Sequence, residues 1–209
     1  MSYKTIFTVA RMNPPTPGHF ELIKKMLEEA IRHNVKKIHI ILSSKTDSVK
    51  NPLEPEEKKY LLETYGIPWI RRQLKGMSDE IEVDIIMTHE HNVHNPNNIW
   101  SSIKFVLNQN KGRSLFISGD EYAIPFDDSV DVLLLDRKKN PISGTLVRGI
   151  GYLSLPALES IYKPFGMCQK EVYILYNAIR QLDPPNENIS KMARKIMKER
   201  YYLRLRPCY

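Results

Sequence analysis

A chain of 209 residues, 42% of them hydrophobic, is long enough to bury one α/β-sized core. Its longest apolar runs are about six residues, far short of the roughly 18 needed to cross a membrane. Cys168 and Cys208 are too few for a disulfide framework, and MSYKTIFTVA does not have the build of a signal peptide, so a cytoplasmic protein is expected. The formal charge of +7 leaves two partners open, a nucleic acid or a small phosphorylated ligand. Much of that excess sits in KMARKIMKERYYLRLRPCY, Lys191 to Tyr209.

Strand-like and helix-like stretches alternate over the first 150 residues. Thr5 to Ala10 is a short run of β-formers. Leu22, Ile23, Met26, Leu27, Ala30 and Ile31 then recur at helical spacing, opposite Lys24, Lys25, Glu28 and Glu29. Lys37 to Ser44 predicts a second strand, and PEEKKYLLETYG a helix ending at Gly66. Ile81 to Met87 is a third strand, with a helix behind it marked by Ile99, Ile103, Val106 and Leu107. Ser114 to Gly119 and Val130 to Leu135 complete five strands. Near-continuous apolar strands separated by helices predict a doubly wound, mostly parallel, Rossmann-like α/β sheet over residues 1–151. Residues 152–209 predict a helical appendage, with helices over Gln169–Gln181 and Ile189–Tyr202 split by LDPPNEN. The second of these is amphipathic. Met192, Ala193, Ile196 and Met197 need a surface to cover, either the chain's own sheet domain or a second copy in a homo-oligomer.

The first strand runs into RMNPPTPGHFE, Arg11 to Glu21. Three prolines stiffen this turn, and Gly18 lets a ligand approach the main chain. Thr16 and His19 set a hydroxyl and an imidazole beside a helix N-terminus, with Arg11 at the strand end. Such donors, without a carboxylate among them, suit a phosphate; a proline-stiffened turn with a capping histidine is the plainer reading.

Thr16-Pro17-Gly18-His19 resembles the first signature of the nucleotidyltransferase superfamily that shares an H/T-x-G-H motif. Ile142-Ser143-Gly144-Thr145-Leu146-Val147-Arg148 resembles that superfamily's second signature, I-S-S/G-T-x-x-R, about 130 residues further on. Ser143 can cap a helix whose first turn carries Gly144 and Thr145, and Arg148 then offers a planar fork of donors suited to phosphate. NPLEPEEK (Asn51 to Lys58), Asn97 to Trp100 and the SGT form are similar to archaeal-type nicotinamide-mononucleotide adenylyltransferases. The chain departs from that branch at Thr16, Ala10, Glu54 and Lys58, where the branch has histidine, glycine, threonine and arginine.

The resemblance implies transfer of AMP from ATP to a phosphorylated acceptor with release of pyrophosphate, most readily nicotinamide mononucleotide to give NAD. It puts Thr16 and His19 on the α-phosphate, Arg11 and Arg148 on the outgoing phosphates, and Gly18, Ser143, Gly144 and Thr145 among the nucleotide contacts. SGDE, Ser118 to Glu121, resembles instead the G-x-D element of the bacterial-type enzymes, which would put Asp120 near the ribose or metal; a strand end capping the next turn is the equal alternative. Lys45 would meet the acceptor phosphate, and Asn97 and Trp100 the nicotinamide ring. Mg²⁺ would arrive on ATP with few protein ligands. Phosphopantetheine, FMN, or CTP with a phosphorylated alcohol remain open as substrates, as does a non-catalytic nucleotide- or nucleic-acid-binding protein. His89, His91 and His94 are close in sequence, but their alternating spacing does not match a closed zinc site, and a polar surface or substrate contacts are the readings preferred.

Overall fold

The computed structural model describes residues 2–47, 50–91, 95, 98–109, 111–120, 126, 128–136 and 142–202, the last three by backbone alone. Five strands, β1 (Thr5–Ala10), β2 (Lys37–Leu42), β3 (Glu82–Met87), β4 (Ser114–Ser118) and β5 (Val130–Leu134), form one sheet in the order β3-β2-β1-β4-β5. Every pairing is parallel, with Ile6 opposite Ile38 and Leu115, and Ile40 opposite Ile85. Helices lie on both faces, so the fold is the doubly wound, Rossmann-like α/β arrangement that the alternating pattern predicts.

Side-chain alternation along each strand sorts the core into two layers. Ile6, Ile38, Ile40 and Ile117 face α1 (Pro17–His33), α2 (Pro55–Leu61), α3 (Ile67–Gln73) and α5 (Gly144–Leu153). Phe7, Ile41, Ile86 and Phe116 face α4 (Ile99–Gln109), which contributes Ile103 and Val106. The C-terminal helices α6 (Leu155–Tyr162), α7 (Gln169–Arg180) and α8 (Glu187–Ile196) join the first layer through Leu158, Ile161, Leu175, Ile179 and Ala193. Thus α8 lies on the chain's own α5. A Cβ on Gly149 would come within 2.8 Å of Ile189 Cγ2, so the two helices meet where α5 has no side chain. Met192, read from the sequence as part of that apolar face, is 54% exposed; Ala193 and Met197 are the buried members.

Two helix boundaries differ from the sequence reading. Gly66 does not end its helix: a π-helical turn, Leu62–Gly66, carries the chain directly into α3. Gly66 has ordinary right-handed backbone angles, and Phe20 would lie 2.7 Å from a Cβ there, so this glycine serves close approach rather than termination. The pattern also left out α6, which is buried along Ala157, Leu158, Ile161 and Tyr162 and carries little polar periodicity. Its start is nonetheless written in Ser154, whose side chain accepts from the Ala157 N–H, and in Pro156 within the first turn.

Lys58, on α2, is fully buried and its ammonium donates to the Ser43 carbonyl at 2.6 Å, tying the helix to the loop after β2. Burial pushes this lysine down to about 8, against the opposing pull of Glu54 and Glu56. The unfolded chain keeps that proton to about pH 10. Between these values the unfolded state binds more protons, and stability rises with pH. Urea unfolding of the wild type should therefore show this group adding on the order of 2–3 kcal/mol between pH 7.5 and pH 10.5. Lys58→Met should lose that increment, and a variant with the wild-type pH profile would show that Lys58 does not titrate in this way.

Candidate active site

The chain turns back across the sheet between β1 and β4, and an open cleft of about 1140 Å³ lies beyond their carboxyl ends. Parallel sheets bind ligands at this reversal, because neighbouring loops diverge there and helix N-termini point inward. Ala10 and Arg11 line the cleft from β1, and Ser118, Gly119 and Asp120 from β4. The first turns of α1 and α5 form two of its walls. Leu182, Pro185 and Ile189, from the C-terminal helices, line it as well.

The loop from Arg11 to Thr16 is held by contacts reaching far along the chain. Met12 is fully buried with φ of 45°, an uncommon angle for a residue with a Cβ, and the Asn13–Pro14 peptide is cis. The buried Asn13 side chain clasps Leu53: its Nδ2 donates to the Leu53 carbonyl at 2.8 Å, and its Oδ1 accepts from the Leu53 N–H at 2.9 Å. Tyr162 Oη donates to the Pro15 carbonyl at 2.5 Å. Thr16, buried and extended at φ −125° and ψ 164°, is the N-cap of α1, and Pro17 follows where a helix has no use for its first N–H.

His19 is the third residue of α1, and its Nδ1 accepts from the Thr16 N–H at 2.9 Å, with Thr16 Oγ1 at 3.0 Å. An imidazole nitrogen that accepts from an amide carries no proton. The neutral ring therefore bears its hydrogen on Nε2, and His19 lines the cleft as a donor.

The second signature meets the first directly. Ser143 caps α5 by accepting from the Leu146 N–H at 3.3 Å. One turn on, Arg148 Nη1 donates to the Asn13 carbonyl at 3.0 Å and Nη2 to Thr145 Oγ1 at 3.1 Å. A Cβ on Gly144 would lie 3.4 Å from Arg148 Nη1, so the guanidinium passes close over the helix start. Burial and the nearby Arg11 guanidinium hold Arg148 below the usual arginine range, while Asp47 acts the other way. An anion entering between two such cations relieves their repulsion and replaces lost hydration. At the end of β4, Ser118 Oγ donates to the Asp120 carbonyl at 2.8 Å and accepts from the Asp120 N–H at 3.0 Å, a tight turn that sets Asp120 at the cleft.

Arg11, Thr16, Gly18, His19, Asp120, Ser143, Gly144, Thr145 and Arg148 are thus gathered around one cleft. Two expected acceptor contacts are not among its lining residues. Lys45 is exposed, 4.0 Å from Asp47, in the loop after β2. Trp100 is 39% exposed in the first turn of α4. Asn97 and His94 lie outside the described residues. His89 Nδ1 is 2.7 Å from Ser44 Oγ, and His91 stacks on Phe105 at 3.9 Å. Among the described residues, no group of three His, Cys, Asp or Glu could hold a metal.

Sequence reasoning left out Asn13 and Tyr162. Asn13 lies three residues before the first signature and reads there as a turn residue, and nothing local marks Tyr162, which acts across 147 residues. Two lysines of α8 form exposed ion pairs, Lys191 with Glu187 at 2.8 Å and Lys195 with Glu199 of the following turn at 3.9 Å. No helix of the described residues is long and apolar enough to cross a membrane.

Removing the Asn13 clasp leaves two buried backbone groups of Leu53 without partners, each worth ~1–3 kcal/mol. Asn13→Ala should therefore lower unfolding stability by about 2–4 kcal/mol in urea. A loss below about 0.5 kcal/mol would mean that water replaces the clasp. No protein-family model matches the chain and no curated protein matches it, so its functional reading stands on the residues that line this cleft.

Proposed function

We propose that this protein is an adenylyltransferase, transferring AMP from ATP to a phosphorylated small-molecule acceptor and releasing pyrophosphate. One observation carries the reading. Two separate signatures, 126 positions apart from Thr16 to Ile142, line one cleft at the sheet's reversal and are joined by the Arg148 to Asn13 hydrogen bond. Nicotinamide mononucleotide is the acceptor preferred, on the resemblance of Asn51–Lys58 and Asn97–Trp100. Phosphopantetheine, FMN and CTP-linked alcohol phosphates are the alternatives within the same chemistry.

In the proposed reaction an acceptor phosphate oxygen attacks the α-phosphorus of ATP. The bond from that phosphorus to the oxygen bridging to the β-phosphate breaks, and its electron pair leaves with pyrophosphate. No covalent intermediate with the protein is required, so catalysis is positioning and charge stabilisation. The N-terminus of α1 offers the Gly18 N–H and its dipole to the α-phosphate, and His19 Nε2–H donates where charge builds. Arg11 and Arg148 meet the departing phosphates, with Thr145 beside them. These cationic and hydroxyl donors suit phosphate oxygens. Mg²⁺ carried in by ATP would neutralise phosphate charge, and Asp120, which lines the cleft in SGDE, is the residue that would help hold it.

The deciding experiment pairs each nucleoside triphosphate with each phosphorylated acceptor and reads pyrophosphate release. ATP with nicotinamide mononucleotide should be fastest. A different best pair reassigns the acceptor, and no release from any pair removes the enzymatic reading. Within the active pair, His19→Ala should lower kcat by ~10²–10³ with ATP affinity little changed. His19→Asn, which keeps a donor, should retain more activity than Ala. His19→Gln keeps an acceptor for the Thr16 N–H and should unfold like wild type, separating loss of the cap from loss of chemistry. Arg148→Ala should weaken ATP binding itself, since its partners are charged before reaction. A folded His19→Ala that turns over like wild type would remove His19 from the mechanism.

A further inference from the structure

Tyr162 belongs to neither signature, yet its hydroxyl ends on the residue before Thr16. A peptide unit is planar and rigid, so the Pro15 carbonyl and the Thr16 N–H are two ends of one plate. Tyr162 donates to the first end at 2.5 Å, and His19 Nδ1 accepts from the second at 2.9 Å. The result is a continuous chain from the core to the cleft: Tyr162 hydroxyl, Pro15–Thr16 peptide, His19 imidazole. Hydrogen bonds in series polarise one another, and each donor fixes the direction of the next.

We infer that Tyr162 is a positioning residue for His19, setting through the Pro15–Thr16 peptide the tautomer and the angle at which the imidazole offers Nε2–H to the cleft. What His19 does there rests on the adenylyltransferase reading; the bond chain itself does not.

Three features make the chain stiff. Tyr162 is fully buried, and burial holds its phenol above the usual tyrosine range, so it stays a donor throughout the working pH range. Pro15 and Pro17 have no N–H, so neither can supply a substitute donor for the Pro15 carbonyl. The same C-terminal segment also grips the residue after His19, because Phe165 packs on Phe20 with ring centroids 4.4 Å apart. Imidazoles are commonly oriented by a partner on the nitrogen turned away from the reaction. Here that partner is a backbone amide, and the tyrosine holds the amide.

The test is Tyr162→Phe, which keeps the ring and removes the donor. The ring nitrogens of His19 are followed by ¹⁵N NMR and assigned by comparison with His19→Gln. Wild type should show an unprotonated Nδ1 and a protonated Nε2, and the variant a mixture of tautomers. The kcat for pyrophosphate release should fall ~10–10²-fold, with ATP affinity within about 3-fold of wild type. Ile161→Val, a buried neighbour on the same helix, is the control for lost packing. Equal loss of kcat in that control, or unmoved His19 resonances and kcat in Tyr162→Phe, overturns the inference. Should Tyr162→Phe not fold, 3-fluorotyrosine placed at Tyr162 keeps the shape and sharpens the donor. It should displace the His19 nitrogen resonances, and unmoved resonances again overturn the inference. If wild type releases no pyrophosphate from any substrate pair, the adenylyltransferase reading falls, and the ring-nitrogen shift alone decides whether Tyr162 controls His19.

Discussion

Pro14, Pro15 and Pro17 contribute carbonyls without N–H groups, and the rest of the site follows from that imbalance. A turn built this way cannot be fastened by its own backbone ladder, so donors must reach it from elsewhere. Arg148 supplies one to the Asn13 carbonyl and Tyr162 one to the Pro15 carbonyl, while the Asn13 side chain exchanges two bonds with Leu53. Segments near residues 53, 148 and 162 therefore converge on four residues of loop. The site is preorganised because its scaffold is short of donors.

The same logic explains why the C-terminal helices are not a detachable ornament. α6 carries Tyr162, α8 packs where α5 has a glycine, and α5 carries Arg148. Apolar contacts running through Ile150, Leu158, Ile161 and Ile179 tie these helices to the layer that α1 shares. Packing and site geometry are thus one problem. Against this stands the cost of burying Arg148 and holding it near Arg11, which an anion in the cleft would offset.

Much of this was legible from residue order, for reasons that differ by element. Parallel strands buried on both sides must be apolar throughout, which makes runs such as KIHIIL conspicuous. The helix with Leu22, Met26 and Ala30 shows its spacing because only one face is buried. By contrast α6 is only eight residues long and mostly apolar, so the spacing of its buried Ala157, Leu158, Ile161 and Tyr162 does not stand out, and Gly66 misleads because a glycine needed for contact with Phe20 looks like one needed to stop a helix. In the cleft, the two signatures identify Thr16, His19 and Arg148 because their spacing is local. Asn13 to Leu53 and Tyr162 to Pro15 are pairings between distant segments, and one sequence does not disclose them. Lys45 suggests itself by chemical type and Trp100 by the family resemblance of Asn97 to Trp100, and neither lines the cleft.

The sheet is clothed unequally. Among the described residues, α4 and Phe126 cover the face carrying Phe7, Ile41 and Phe116, and on the edge strand β5 Val132 and Leu134 remain about half exposed, at 52% and 47%. Amide exchange by local opening begins where few apolar contacts must be given up. Among the described residues, opening along the β5 flank therefore gives up fewer buried apolar contacts than opening along α1 and α5. β5 pairs with β4 as far as Ser118 opposite Leu134, so opening there reaches the strand whose end carries the Ser118–Asp120 turn, whereas the proline turn is held from other segments.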